Sequence, residues 1–268
     1  MTMSKSMPVT GRNKPVVVIK LGGSMLEELA DSFITSIKKL MKTRHVIFVH
    51  GGGPEINRML EKLEVKSQFY NGQRKTTPEV LEVVQMVLAG KINKWLTARL
   101  QKNGIEAVGL SGCDGRLLTS SFLDEEHLGL VGKVSRVNRD FLLSLLELTY
   151  VPVIAPLGKT EDGQILNINA DLCAAAVAEN MNAEQLVFVT DVPGILQNGT
   201  LIEEADEQQI QELIDDGVIF GGMIPKVTSS LTVLSGQLKE VMIVNGKDAV
   251  FKQGTLIGTK IVKKKVVM

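Results

Sequence analysis

Short, continuous apolar runs alternate along this chain with longer stretches in which apolar residues recur every three or four positions. Val16–Ile19 and Val46–Val49 are unbroken runs of the kind a strand shows when both its faces are covered. Each leads into glycines, Gly22–Gly23 after the first and Gly51–Gly53 after the second, and then into a helix-period segment. Strand, glycine turn and helix thus occur twice in succession, which is the rhythm of a parallel sheet covered by helices. A helical pattern, with Val80, Val83, Val84, Val87 and Leu88 on one stripe, predicts a single long helix over about 78–102. Ile105–Leu110 reads as a third strand, 117–134 as a hairpin with scattered glycines, 138–148 as a helix and Val151–Ala155 as a strand. Asn169–Asp171 opens an alanine-rich helix to about Met181. The second half repeats the alternation: strand Leu186–Thr190, helices near 206–215 and 224–236, strand Val241–Val244, and a Lys- and Val-rich tail from Lys260 expected as an edge strand. The expected fold is α/β, a three-layer αβα sandwich around an open, mainly parallel sheet. Residues 1–14 are expected as a polar tail and 15–268 as one domain of two lobes, meeting near residue 180.

Composition narrows the class without naming a chemistry. The 268 residues carry 30 Lys plus Arg against 30 Asp plus Glu, a balance that gives no footprint of a nucleic-acid or membrane-surface partner. No apolar run reaches the roughly 20 residues a membrane span needs, and the first residues lack the apolar core of a signal peptide. The two cysteines, Cys113 and Cys173, form no CxxC pair and have no His at ligand spacing. Reduced thiols in a cytoplasmic protein are the expectation.

The glycine turns change this picture. A glycine turn between strand and helix exposes backbone N–H groups, and the helix start adds partial positive charge. Two such turns in one parallel sheet place two anion sites at the carboxyl ends of the strands. The familiar nucleotide motifs are absent. Gly158-Lys159-Thr160 resembles the end of a Walker motif, but Val153 stands where its first glycine belongs. No GxGxxG follows a strand, which removes the main support for a nicotinamide-dependent oxidoreductase. Neither HExxH nor GxSxG occurs.

Two lysines carry the remaining signal. Lys20 ends the first apolar strand directly before Gly22–Gly23, and Lys226 stands where a helix should start after Gly221–Gly222. A cation is the wrong sign for a helix N-terminus, so Lys226 is better placed to meet an anion. Phosphoryl transfer is mainly positioning and neutralisation of oxygen charge, which two lysines and backbone N–H groups can supply. Asp171 and Asp191 stand at strand-to-helix or strand-to-loop junctions; Asp171 can be an ordinary carboxylate at a helix N-terminus, or, near two lysines, can hold their ammonium groups in place. His50 reads as packed or capping and is assigned no chemistry.

The strings Lys20–Ser24, His50–Pro54, Asn71–Thr76, 82–94, Gly109–Gly115, Asn167–Asp171, Thr190–Leu196 and Gly222–Lys226 together resemble the amino-acid kinase family over about 15–263. The resemblance is to the branch whose acceptor is N-acetyl-L-glutamate. It implies ATP with Mg²⁺, transfer to the acceptor's γ-carboxylate, an acyl-phosphate product and a role early in arginine biosynthesis. It implies catalytic roles for Lys20, Lys226 and Asp171, with Asp171 orienting the two lysines. Gly52, Gly53, Arg74 and Asn167 match the acyl-amino-acid site. Gly22, Gly23, Asp191, Gly194, Ile195, Leu196, Val218, Ile219 and Phe220 match the nucleotide region, and no dedicated metal ligands are implied. A cytoplasmic homodimer without nucleic-acid or membrane partners is expected. Arginine-inhibited members carry an N-terminal helix; Pro8, Gly11 and Pro15 argue against one here, so insensitivity to arginine is expected. Gln73 and Lys75 depart from the apolar residues more usual beside the family arginine. Sister kinases acting on longer or carrier-bound acyl-amino acids, and a catalytically dead nucleotide-binding protein, stay open at this point.

Overall fold

The computed structural model describes residues 14–234, 238, 240–252 and 254–263. The expected polar tail before Lys14, and the part of the expected terminal strand after 263, lie outside them.

Each apolar run becomes a strand and each periodic stretch a helix. In chain order these are β1 (Val16–Leu21), α1 (Asp31–Leu40), β2 (His45–His50), α2 (Gly53–Lys62), β3 (Gln68–Tyr70), β4 (Gln73–Lys75), α3 (Pro78–Gln85), α4 (Asn93–Lys102), β5 (Ala107–Ser111), β6 (Leu118–Phe122), α5 (Glu125–Leu128), β7 (Val131–Val137), α6 (Arg139–Glu147) and β8 (Val151–Ala155). They continue as β9 (Leu157–Lys159), β10 (Ile165–Ile168), α7 (Ala170–Asn180), β11 (Gln185–Thr190), β12 (Leu196–Gln197), β13 (Thr200–Leu201), β14 (Glu204–Asp206), α8 (Glu207–Asp215), α9 (Met223–Val233), β15 (Glu240–Asn245), β16 (Phe251–Lys252), β17 (Thr255–Leu256) and β18 (Thr259–Val262).

The central sheet has eight strands in the order β14-β18-β15-β11-β1-β2-β8-β5. From β15 through β5 all neighbours are parallel, while β18 runs antiparallel to β15. Two apolar layers cover it. Val17, Ile19 and Leu21 of β1 join Phe33, Ile37, Leu60, Val84 and Leu96 from the α1–α4 side. Val16 and Val18, pointing the other way as strand alternation requires, join Leu142, Val177, Ile210 and Val227 from the α6–α9 side. This is the expected αβα sandwich.

Three elements differ from the sequence reading. Residues 78–102 are not one α-helix: Met86–Ile92 between α3 and α4 is a π-helical segment, whose extra residue leaves no mark in the apolar period. The 117–134 hairpin is real, since β6 and β7 are antiparallel, but it is half of a small closed barrel completed by β9 and β10. Thr259–Val262 is not an edge strand: it pairs on both sides, with β14 and β15, and β14 forms the rim. Among the described residues no helix is long and apolar enough to cross a membrane, and Cys113 and Cys173 are unbridged.

Candidate active site

The carboxyl ends of β1 and β2 deliver the two glycine turns to the same place. A side-chain carbon on Gly23 would stand 3.0 Å from the amide nitrogens of both Gly52 and Gly53. The two turns therefore form one cradle, in which a side chain at position 23 would press on the backbone of Gly52 and Gly53. A side-chain carbon on Gly52 would strike the methyls of Ile92 at 2.5 Å and Leu88 at 2.7 Å, both on the π-helical segment. α2 starts at Gly53 with Pro54 in its first turn, so its leading N–H groups lack intrahelical partners.

This cradle forms the floor of an open cleft of about 260 Å³. Lys20, Gly23, Gly52, Gly53, Arg74, Asn167 and Asp171 all line it, although they come from four separate stretches of chain. Lys20 lies on the β1 face that α7 covers, and its Nζ is 2.6 Å from Asp171 Oδ1. Asp171 occupies the first turn of α7, where Asn169 caps the helix by accepting from the N–H groups of Asp171 and Leu172. The carboxylate is thus fixed by its place on the capped helix, and the Lys20 ammonium by its place on β1. Lys20 also sits 5.7 Å from the Phe188 ring centroid.

Arg74 enters from β4. Its guanidinium donates to Ser67 Oγ at 2.7 Å and to Asn57 Oδ1, and it stacks over Phe69 with 4.7 Å to the ring centroid. Burial pulls its pKa below the usual arginine value, though far too little to discharge it. On β10, Asn167 donates from Nδ2 to Thr76 Oγ1 at 3.1 Å, and that hydroxyl donates to the Arg74 carbonyl at 3.0 Å. Thr76 thus ties the two polar groups facing the cleft to each other. Asn57 and Ser67 had no signal in the sequence, because each acts only through its contact with the Arg74 guanidinium, and Thr76 stood in the Asn71–Thr76 string without a role. Gln73, one of the departures from the family pattern, lines the cleft as well.

Lys226 is placed differently. It lies in the first turns of α9 and is ion-paired with Asp191, just past the end of β11. The Lys226 ammonium, opposed by desolvation and helped by the charge of Lys247, holds the Asp191 carboxyl below the usual range. β11 is the parallel neighbour of β1, with Leu21 opposite Val189. The two lysines are therefore held at adjacent strand ends, each by its own carboxylate: Asp171 for Lys20 and Asp191 for Lys226. Gly22 precedes the cradle without lining the cleft. Gly194 packs against Thr259, and Ile195 donates its N–H to Thr259 Oγ1 at 2.8 Å. Ile195 and Ile219 are core residues, Val218 packs against the same core, and Leu196 and Phe220 are exposed, Phe220 to 73%.

The amino acid kinase family profile matches residues 15–245. A Bacillus pumilus acetylglutamate kinase is 51% identical over 93% of this chain and 97% of its own. One from Geobacillus kaustophilus is 54% identical over 92% and 96%. Among solved structures, a Streptococcus mutans protein superposes with a TM-score of 0.79 at 33% identity, over 93% of this chain and 99% of its own. A Giardia lamblia carbamate kinase bound to AMP-PNP has a TM-score of 0.63 at 17% identity, over 94% and 99%, and so shares the fold.

Proposed function

From the premise that this chain belongs to the amino acid kinase family, we propose that it transfers the γ-phosphoryl group of ATP to the γ-carboxylate of N-acetyl-L-glutamate. The product is N-acetyl-L-glutamyl 5-phosphate, an early intermediate of arginine biosynthesis. The observation that carries this reading is the single cleft in which the Lys20–Asp171 pair, the double glycine cradle, Arg74 and Asn167 meet. Arg74 offers a planar fork to the acceptor's other carboxylate. Asn167 offers both a donor and an acceptor to the amide or carboxylate. The attacking carboxylate is ionised at neutral pH and needs no general base. Catalysis then reduces to alignment and charge: the cradle N–H groups and the Lys20 ammonium meet the oxygens of the transferring group, and Lys226 meets them from the nucleotide side.

The nucleotide lies over the β11 side, with Asp191–Leu196 and Val218–Phe220 as its walls and the exposed Phe220 ring available for stacking on the base. Mg²⁺ bound with the triphosphate would supply charge neutralisation there, and no residue of this chain is assigned as its dedicated ligand. Residues 15–180 form the acceptor half and 181–268 the nucleotide half of a cytoplasmic homodimer.

The decisive assay measures ATP consumption with N-acetyl-L-glutamate, its one-carbon-longer homologue and unacetylated glutamate, trapping the acyl phosphate with hydroxylamine. Hydroxamate should form fastest with N-acetyl-L-glutamate. One methylene is worth about 1–3 kcal/mol in a pocket, so a preference of roughly 10- to 200-fold over the homologue is expected. Faster reaction of the homologue, or no hydroxamate at all, rejects the acceptor.

A further inference from the structure

His50, the last residue of β2, has no part in the reading above, yet it is fully buried beside the cradle and precedes Gly51. Its two ring nitrogens have different partners. Nδ1 is 3.0 Å from the Gly51 carbonyl oxygen, and Nε2 is 3.2 Å from Asn93 Nδ2. The orientation of Asn93 is fixed from outside the pair. Its NH₂ also reaches the carbonyls of Leu110 at 3.1 Å and Val153 at 2.8 Å, while Lys94 Nζ lies 3.1 Å from its Oδ1. Nδ1 faces a carbonyl oxygen, which can only accept, so the ring proton sits on Nδ1 and donates to Gly51, while Nε2 faces the Asn93 NH₂, whose two hydrogens are shared among three acceptors.

That bond has a consequence one peptide further on. All described peptide bonds are trans, and a trans peptide points its C=O and N–H in opposite directions. Holding the Gly51 carbonyl against His50 turns the Gly52 N–H away from the ring; the Gly52 nitrogen lies against Gly23, and both glycines line the cleft. Asn93 reaches this position because the π-helical segment ends directly before it, and the same segment supplies Leu88 and Ile92 against Gly52.

We propose that His50, with its ring proton on Nδ1, is a positioning residue that aims the Gly52 N–H at the oxygens of the transferring phosphoryl group. The proposal rests on the phosphotransfer reading for its purpose but not for its geometry. Burial, partly opposed by the Gly51 bond and reinforced by the Lys94 charge, lowers the His50 pKa to about 4. The ring thus stays neutral, and the clamp intact, across the physiological range. Lys94, whose Nζ also donates to the Gly109 carbonyl at 2.8 Å, is the charged group facing this pair.

Two measurements test it. In the ligand-free wild-type protein, ¹⁵N NMR of the imidazole should show the Nδ1-protonated tautomer from pH 6 to 8. In steady-state assays, His50→Leu should lower kcat by roughly 10- to 100-fold with KM for both substrates within about threefold, the mark of a contact aligned for the transition state. His50→Asn keeps an N–H donor within reach of the Gly51 carbonyl and should restore most of kcat. An Nε2-protonated ring, a wild-type kcat in His50→Leu, or a His50→Asn variant no better than His50→Leu overturns the proposal. If His50→Leu does not fold, the tautomer and the His50→Asn turnover still decide it. An Nδ1-protonated ring in a wild-type protein that ignores N-acetyl-L-glutamate would sink the acceptor assignment and leave the clamp in place.

Discussion

Lys20 carries its charge on the last turn of an otherwise apolar strand, paired at 2.6 Å with a carboxylate at a helix start. In the proposed reaction its role is electrostatic, so its removal should act on turnover. Lys20→Ala is expected to lower kcat roughly 10²- to 10³-fold, with the Kd for ATP, read by titration calorimetry, changed much less. Lys226→Ala should behave likewise, since its ammonium is held by Asp191 and available to phosphate oxygens. Arg74 is a different case. Asn57 and Ser67 hold its fork and Phe69 covers its face, which suits ground-state binding of a carboxylate. Arg74→Ala should raise the acceptor KM more than it lowers kcat, and an effect confined to ATP affinity would remove it from the acceptor site. His50 adds a stability signature. Its pKa falls from 6.5 to about 4 on folding because burial disfavours the cation, so as pH drops the unfolded chain takes up the proton first. Its contribution to stability is whole above about pH 6.5 and is lost progressively down to about pH 4, a loss of about 3 kcal/mol. Urea titrations at pH 7 and pH 4.5 should show a steeper loss for wild type than for His50→Asn.

At the scale of elements, the least legible piece is the one that matters most to the cradle. Pro78–Lys102 has an apolar stripe good enough to read as one helix, and nothing in the stripe marks the π-helical turn at Met86–Ile92. A wider turn stores one additional residue without breaking the run of buried positions, so Val84, Leu88, Ile92, Leu96 and Leu100 are all in the core. Within that turn Gly90 is exposed, and a side-chain carbon there would meet nothing within 4 Å. Gly90→Ala should therefore raise stability by about 0.5–1 kcal/mol through reduced backbone freedom in the unfolded chain, with unchanged kcat. A rise in the urea midpoint with wild-type activity would bear this out. A loss of activity would mean that Gly90 is needed to hold the π turn. The barrel of β6, β7, β9 and β10 was half visible, as a hairpin. Its other half, Leu157–Lys159 and Ile165–Ile168, is too short for periodicity to distinguish from loop, and it is this half that carries Asn167.

At the scale of the whole molecule, the parallel sheet is what makes a site from scattered strings. Six parallel strands end on one side of it, so Lys20, Gly52 and Asp191, far apart in sequence, arrive at neighbouring positions. Because β1 and β11 are hydrogen-bonded neighbours, the proposed acceptor and nucleotide halves are joined through the middle of the sheet and not by a linker. ATP bound across that junction should stabilise both halves together. Nucleotide with Mg²⁺ at about 100 times its Kd is expected to add about 2.7 kcal/mol, seen as one cooperative unfolding transition displaced to higher temperature in calorimetry. A transition that splits, with only part displaced, would show the halves to be separate folding units.

The strands, their parallel order of occurrence, both glycine turns and the two lysines could be read from the chain because each depends on local signals: unbroken apolar runs, glycine where an anion meets backbone, and charge where apolar patterning ends. The partners of those residues could not. Asp191 on Lys226, Thr76 on Asn167, and Asn93 on His50 are contacts between elements tens of residues apart in no periodic relation. His50 shows the division most plainly. In the sequence it is a polar residue before a glycine turn, with no role to favour. Only the packed interior, where an uncompensated polar group is costly and every N–H must find an acceptor, decides which nitrogen holds its proton and which way the next peptide faces.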